Sequence, residues 1–180
     1  QVRRRWLDNA FYVLNALANY SKAGLDLVFG GSYSLYDGDH FGEVIWTQTA
    51  GKFEIPAEYY NGNGTKKDLS LFAKATYSIN EQWAVFGDLQ ERFVHYSTSG
   101  LTSDQVPLVV DESYAFFNPK IGTTFKIDQS QNIYFSYARA NREPNRNDFE
   151  NGITKPESLN DFELGWRFSN QKTKINANLF

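Results

Sequence analysis

The chain has 180 residues, 41% hydrophobic, 17% aromatic and 22% charged, with a formal net charge of -3. Its mean hydropathy of -0.53 goes with no apolar run long enough to cross a bilayer as a helix. Cysteine is absent, which removes disulfide frameworks and thiolate zinc sites, and the mildly acidic balance argues against a nucleic-acid partner.

In chain order, eight strands are predicted: Phe11–Ser21, Leu25–Tyr36, Lys67–Ile79, Trp83–Tyr96, Tyr114–Ile127, Ile133–Ala140, Leu159–Phe168 and Thr173–Phe180. Their signal is a period of two. Leu25, Leu27, Phe29, Tyr33 and Leu35 alternate with Asp26, Gly30, Ser32 and Ser34. Further on, Leu69, Leu71, Ala73, Ala75, Tyr77 and Ile79 alternate with Asp68, Ser70, Lys74, Thr76 and Ser78. Successive strand side chains point to opposite faces, so each strand offers one apolar and one polar side.

Short polar turns at 22–24, 80–82, 128–131 and 169–171 alternate with long connections at 37–66, 97–113 and 141–158. The long connections hold every proline except Pro119. Several strands exceed ten residues, beyond the usual length in soluble sheets and close to the nine to eleven that span a bilayer at a tilt. Tyr20, Tyr77, Trp83, Phe125 and Trp166 lie by the short turns, while Tyr33, Phe93, Tyr96, Phe117 and Tyr137 lie by the long connections. Two aromatic levels are what a membrane barrel places at its two interfaces.

The fold expected is therefore all-β, an antiparallel up-and-down meander forming part of a transmembrane barrel, with short turns in the periplasm and long loops outside. Residues 1–180 are read as a single partial barrel domain with neither export signal nor plug. Strict alternation places Leu27, Phe29, Leu71, Ala73, Val85, Ile121, Leu164 and Trp166 outward. It places Asp26, Lys74, Asp88, Arg92, Lys120, Glu163 and Arg167 toward the lumen.

Several strings carry a family resemblance. Phe116-Phe117-Asn118-Pro119-Lys120-Ile121-Gly122, Tyr134-Phe135-Ser136-Tyr137-Ala138-Arg139, Arg142-Glu143-Pro144, Lys155-Pro156-Glu157-Ser158-Leu159 and Phe162-Glu163-Leu164-Gly165 resemble, in order and spacing, the TonB-dependent outer-membrane receptors. Arg5-Trp6-Leu7-Asp8-Asn9, Tyr36 to Gly42 and Asp88 to Arg92 look like the same family. The resemblance implies a barrel of about twenty-two strands with a plugged lumen in the outer membrane of a Gram-negative bacterium. It implies energised import of a scarce nutrient, chiefly a ferric siderophore, with outer-membrane lipid, the plug and the TonB complex as partners. No enzymatic activity and no cofactor are expected. Haem is disfavoured because Arg142 to Phe149 lacks a histidine.

Ligand candidates are basic and aromatic residues of the expected loops. Arg139, Arg142 and Arg146 suit anionic chelates, and Trp46, Tyr59 and Tyr60 suit flat rings. Val44–Thr49 is expected to extend a strand or form a hairpin that displays Trp46 and His40 at the pore mouth. His40 and His95 are the only histidines and lie apart in sequence, so a multi-histidine metal site is not expected. Asp37, Asp39 and Glu43 do not have EF-hand spacing. Two rival readings are a self-contained eight-stranded outer-membrane barrel acting as a binding or adhesion module, which requires Phe11–Ser21 to pair with Thr173–Phe180, and a soluble glycan-binding sandwich.

Overall fold

The computed structural model describes residues 1–48 and 54–180. Eight strands form one antiparallel sheet in sequence order: β1 (Val2–Lys22), β2 (Leu25–Trp46), β3 (Ala57–Ser78), β4 (Trp83–Leu101), β5 (Pro107–Lys126), β6 (Gln131–Arg142), β7 (Glu157–Ser169) and β8 (Lys174–Leu179). A short helix, α1 (Arg146–Glu150), sits between β6 and β7. β1 and β8 are the two edges of the sheet, and no register pairs them among the described residues. The small closed barrel therefore lacks the pairing it needs.

The register keeps the two faces apart. Leu27, Ala75, Gly87, Ile121, Tyr137 and Phe162 form one row across six strands, because partners in a ladder share a face. Phe29, Ala73 and Leu89 form the next such row. On the opposite face, Lys74, Asp88, Lys120, Ala138 and Asp161 line up in the same way. Parity along each strand carries the whole expected outward set to the apolar face and the whole expected inward set to the polar one.

The apolar band has a sharp upper limit. On β2 its last member is Leu35, and Asp37 and Asp39 follow on the same face, opposite Thr65 and Asn63 of β3. From Leu25 to Leu35 is about eleven residues, which at a barrel tilt of about 45° covers roughly 25 Å. β2 and β3 are each 22 residues long, so their upper halves stand beyond the band.

These upper halves correct the sequence-based expectation of long loops. Residues 37–46 and 57–66 are paired strand, so the expected thirty-residue loop is mostly a hairpin. Asn63 Nδ2 donates to Asp37 and Asp39 at 3.0 and 2.9 Å, giving these turn-prone residues a reason to stay extended. Of the expected Val44–Thr49 extension, Val44 to Trp46 close β2, and Thr49 lies outside the described residues. The expected loop at 97–113 contracts in the same way. β4 runs to Leu101 and β5 starts at Pro107, a first-residue position that needs no ladder N–H. Thr102 Oγ1 accepts from the Asp104 and Val106 amides at 3.3 and 3.2 Å and ties the turn. β1 likewise begins well before Phe11, with Arg4 on β1 bridging to Glu43 on β2 at 2.7 Å.

On the polar face, aromatic rings lie over glycines of neighbouring strands. A Cβ at Gly30, Gly122 or Gly165 would come within 2.4 Å or less of Phe72, Phe86 or Tyr134 respectively. Glycine is required at these positions by close approach, and each ring and bare backbone hold one register. In the folded protein, Gly122→Ala should therefore cost about 1–3 kcal/mol through overpacking against Phe86. Gly87→Ala, with nothing within 4 Å of its new methyl, should change stability by less than about 0.5 kcal/mol. The urea midpoint of the folded barrel in detergent reads both.

Candidate functional site

Above the apolar band, the β6–β7 connection folds back onto the polar face. Its first residue, Glu143, is 8% exposed. Lys66 Nζ on β3 donates to Glu143 Oε1 at 2.5 Å, and Arg92 Nη1 on β4 donates to Oε2 at 2.8 Å. Arg92 also forks onto Asp68 of β3, through Nε at 3.0 Å and Nη2 at 2.5 Å. One guanidinium thus serves two carboxylates, which its planar set of donors permits. Burial pushes the Glu143 carboxyl up, but the hydrogen bonds from Lys66 and Arg92 outweigh it and hold the group down at about 2.

α1 follows at once. Asn145 and Asp148 form a reciprocal capping box at its start, a signal legible in Asn145-Arg146-Asn147-Asp148. The helix turns Phe149 inward, where it stacks on Tyr96 at 5.3 Å between ring centroids and is 5% exposed. Arg146 pairs with Glu150 at 3.0 Å and donates to Thr98 Oγ1 at 3.2 Å. Tyr114 Oη donates to the Thr154 carbonyl at 2.9 Å. Val94 at 2% and Phe116 at 5% exposed are the best-buried apolar side chains of the described part of the sheet.

Between this fold-back and the upper β2–β3 hairpin lies a cleft of about 330 Å³, lined by Tyr36, His40, Lys66, Tyr96, Arg142 and Arg146 among others. His40 stands beyond the apolar band with Nε2 3.4 Å from the Tyr36 hydroxyl. Burial and the Arg146 charge lower its pKa and so favour the neutral imidazole. The cations of the cleft are all engaged: Lys66 with Glu143, Arg142 with Glu157 at 2.8 Å, and Arg146 with Glu150. Chemically, the cleft offers aromatic faces together with cations whose present partners are carboxylates.

The residues expected to contact ligand divide between places. His40, Arg142 and Arg146 line the cleft. Tyr59 and Tyr60 stand higher on β3 as an edge-to-face pair at 5.0 Å, with the Arg3 guanidinium 4.8 Å over Tyr59, and Trp46 is exposed at the end of β2. Arg139 is a correction. It pairs with Asn160 two residues beyond the Tyr137–Phe162 row, so strand parity puts it on the apolar face, away from the cleft. Asp88, Arg92, Lys120, Glu163 and Arg167 share the polar face. Of these only Arg92 reaches the fold-back, while Glu163 accepts from the Tyr134 hydroxyl and Arg167 lies 4.0 Å over that ring. Glu143, Lys66, Asp68, Tyr36 and Tyr96 were not expected as site residues, because what joins them is the pairing of distant strands. His95 lies elsewhere, in a shallow cleft with Tyr33, Lys67 and Phe93 at the upper edge of the apolar face.

The depressed Glu143 pKa carries a pH signature. A carboxylate lowered from 4.5 to about 2 contributes its full attachment above about pH 4.5 and loses it as pH falls toward 2. A nitroxide introduced by Asn147→Cys, on an exposed position of α1, should keep constant mobility from pH 8 to 5 and become progressively freer below pH 4.

The TonB dependent receptor-like β-barrel family model matches residues 2–180. Among solved structures, the closed form of the ferric-catecholate import receptor Fiu of E. coli K12 superposes with a TM-score of 0.73 at 16% identity, over 96% of this chain and 31% of that one. The copper transporter OprC gives 0.79 at 14% identity, over 98% and 30%. The ferripyoverdine receptor of the Pseudomonas aeruginosa outer membrane gives 0.69 at 16% identity, over 98% and 25%. The chain thus spans about a third or less of the length of these receptors. A search of curated protein sequences finds no match. With one family model covering residues 2–180 and the same meander in these barrels, the chain belongs to the TonB-dependent receptor-like β-barrel family.

Proposed function

We propose that this chain is part of the barrel wall of an outer-membrane receptor of a Gram-negative bacterium that imports an anionic iron chelate by TonB-coupled transport. The apolar face meets lipid, and the polar face lines a lumen that receives the plug. The observation that carries this reading is the placement of the cleft. It opens on the polar face where the apolar band ends, and it combines Tyr36 and Tyr96 with Lys66, Arg142 and Arg146. Aromatic rings and guanidinium forks recognise flat, anionic oxygen-rich ligands. The ferric-catecholate and ferripyoverdine receptors share the fold and supply the analogy for the cargo.

Direct capture of a soft metal ion fits this segment less well. The chain has neither Met nor Cys, the side chains that select copper, and no group of three His, Asp or Glu side chains converges on one point among the described residues. The barrel makes and breaks no bond in its cargo. His40, Arg142 and Arg146 would contact the chelate in the cleft, with Trp46, Tyr59 and Tyr60 higher on the hairpin as first encounter surfaces.

The test uses the parent receptor in cells, supplied with radiolabelled iron as catecholate, hydroxamate or citrate chelates. Combining His40→Ala, Arg142→Ala and Arg146→Ala should weaken uptake of the cognate chelate at least about tenfold, equivalent to about 1.4 kcal/mol of binding. Surface expression should stay unchanged. Wild-type uptake of none of the chelates, or full uptake by the triple variant, counts against the reading.

A further inference from the structure

We infer that Lys66 and Arg92 form a binding site for an anionic group of the imported chelate, and that Glu143 is the resident occupant the ligand displaces. This rests on the uptake reading above and names the point at which the ligand engages the wall.

The geometry has three parts. First, Lys66 and Arg92 come from adjacent strands and converge on one carboxylate, at 2.5 and 2.8 Å. Two cations of the rigid wall are therefore aimed at a single anion position, and the anion filling it comes from a connection, beyond the end of β6. Second, Arg92 keeps Asp68 when Glu143 leaves, because the Asp68 fork is made within the β3–β4 pair. Exchange of one anionic oxygen for another then leaves no cation buried and unpaired, the condition that makes breaking a buried pair expensive. Third, the same cleft reaches Lys66 and Glu143 and is walled by Tyr36, Tyr96 and His40. About 330 Å³ is at the lower end of small-molecule sites, suited to one anionic arm of a chelate rather than to the whole.

Further attachments of the fold-back include the Phe149–Tyr96 stack, the Arg146–Thr98 hydrogen bond and the Tyr114 hydrogen bond to Thr154. Releasing Glu143 removes the only ion pairs tying residues 143–156 to β3 and β4 among the described residues. The ligand class is a chelate with peripheral carboxylate or catecholate oxygens, and the coupled event is loosening of the connection over the mouth.

The test uses the purified parent receptor in detergent. Wild type, Glu143→Gln and Lys66→Gln are titrated with ferric citrate, a ferric catecholate chelate and a cationic ferric hydroxamate. Exchange predicts that Glu143→Gln, which removes the competitor, tightens the anionic chelates several-fold. It also predicts that Lys66→Gln weakens them about tenfold, and that the hydroxamate responds to neither change. Unchanged or weaker binding of anionic chelates by Glu143→Gln overturns the inference, since a clamp that only orders the loop gives that result. A nitroxide at position 147 in otherwise wild-type receptor supplies a second reading that needs no variant at 143. Millimolar citrate should free it at pH 7, and an immobile label overturns the exchange. If no ferric chelate binds wild type, the uptake reading fails, while the label response to citrate still decides whether the Glu143 position accepts an external anion.

Discussion

Everything in this sheet depends on a two-residue period kept in step across neighbouring strands. A one-residue slip of β3, β4, β5 or β7 would turn Lys74, Asp88, Lys120 or Glu163 respectively to the side that carries Leu27, Phe29, Ile121 and Leu164. Backbone hydrogen bonds alone do not prevent this, since a shifted ladder makes almost as many. The polar face supplies the discrimination, because Phe72, Phe86 and Tyr134 each occupy the space left by a glycine on the next strand. A slipped strand would set a ring against a Cβ. The two irregularities of register, at Val2/Arg3 and Gly42/Glu43, both lie above the apolar band, where no apolar stripe is there to be misplaced by a change of parity.

The rigid wall in turn makes the Glu143 cluster possible. Asp68, Arg92 and Lys66 stand on paired strands, so their backbone positions do not depend on the connection. Glu143 is the movable member. Beneath it, Gln90 donates to Ser70 at 3.0 Å, Asn118 donates to Gln90 at 3.1 Å, and Asn141 donates to Asn118 at 2.9 Å. This uncharged chain of side chains spans β3 to β6 and fixes the floor on which the charges rest.

The lower half of the molecule was legible because each strand there divides apolar from polar residues, and the short turns carry the residues that tight turns need. The upper half was not, for a physical reason. In His40-Phe41-Gly42-Glu43 and Asn61-Gly62-Asn63-Gly64, neither face carries an apolar stripe, so alternation gives no contrast and glycine and asparagine suggest loops. Ladder pairing and the Asn63 hydrogen bonds override that local preference. Arg139 was readable by parity, being two residues from Tyr137 within a strand that was foreseen. Glu143 was not, because its partners lie 77 and 51 residues away and come together only through strand order.

The contraction of the loop after β4 to the few residues between Leu101 and Pro107 also bears on how this surface fares against proteases. Proteases cleave chain that can be drawn out into their own clefts, and a paired hairpin closed by a tight, hydrogen-bonded turn resists that. Among the described residues, the stretch from 143 to 156 is the longest lying outside strands, and its buried anchors Glu143 and Phe149 sit in its first half. Nicking there would leave the ladders intact while cutting the part that overhangs the cleft. The molecule's exposure to degradation is thus concentrated in the same segment that screens its mouth.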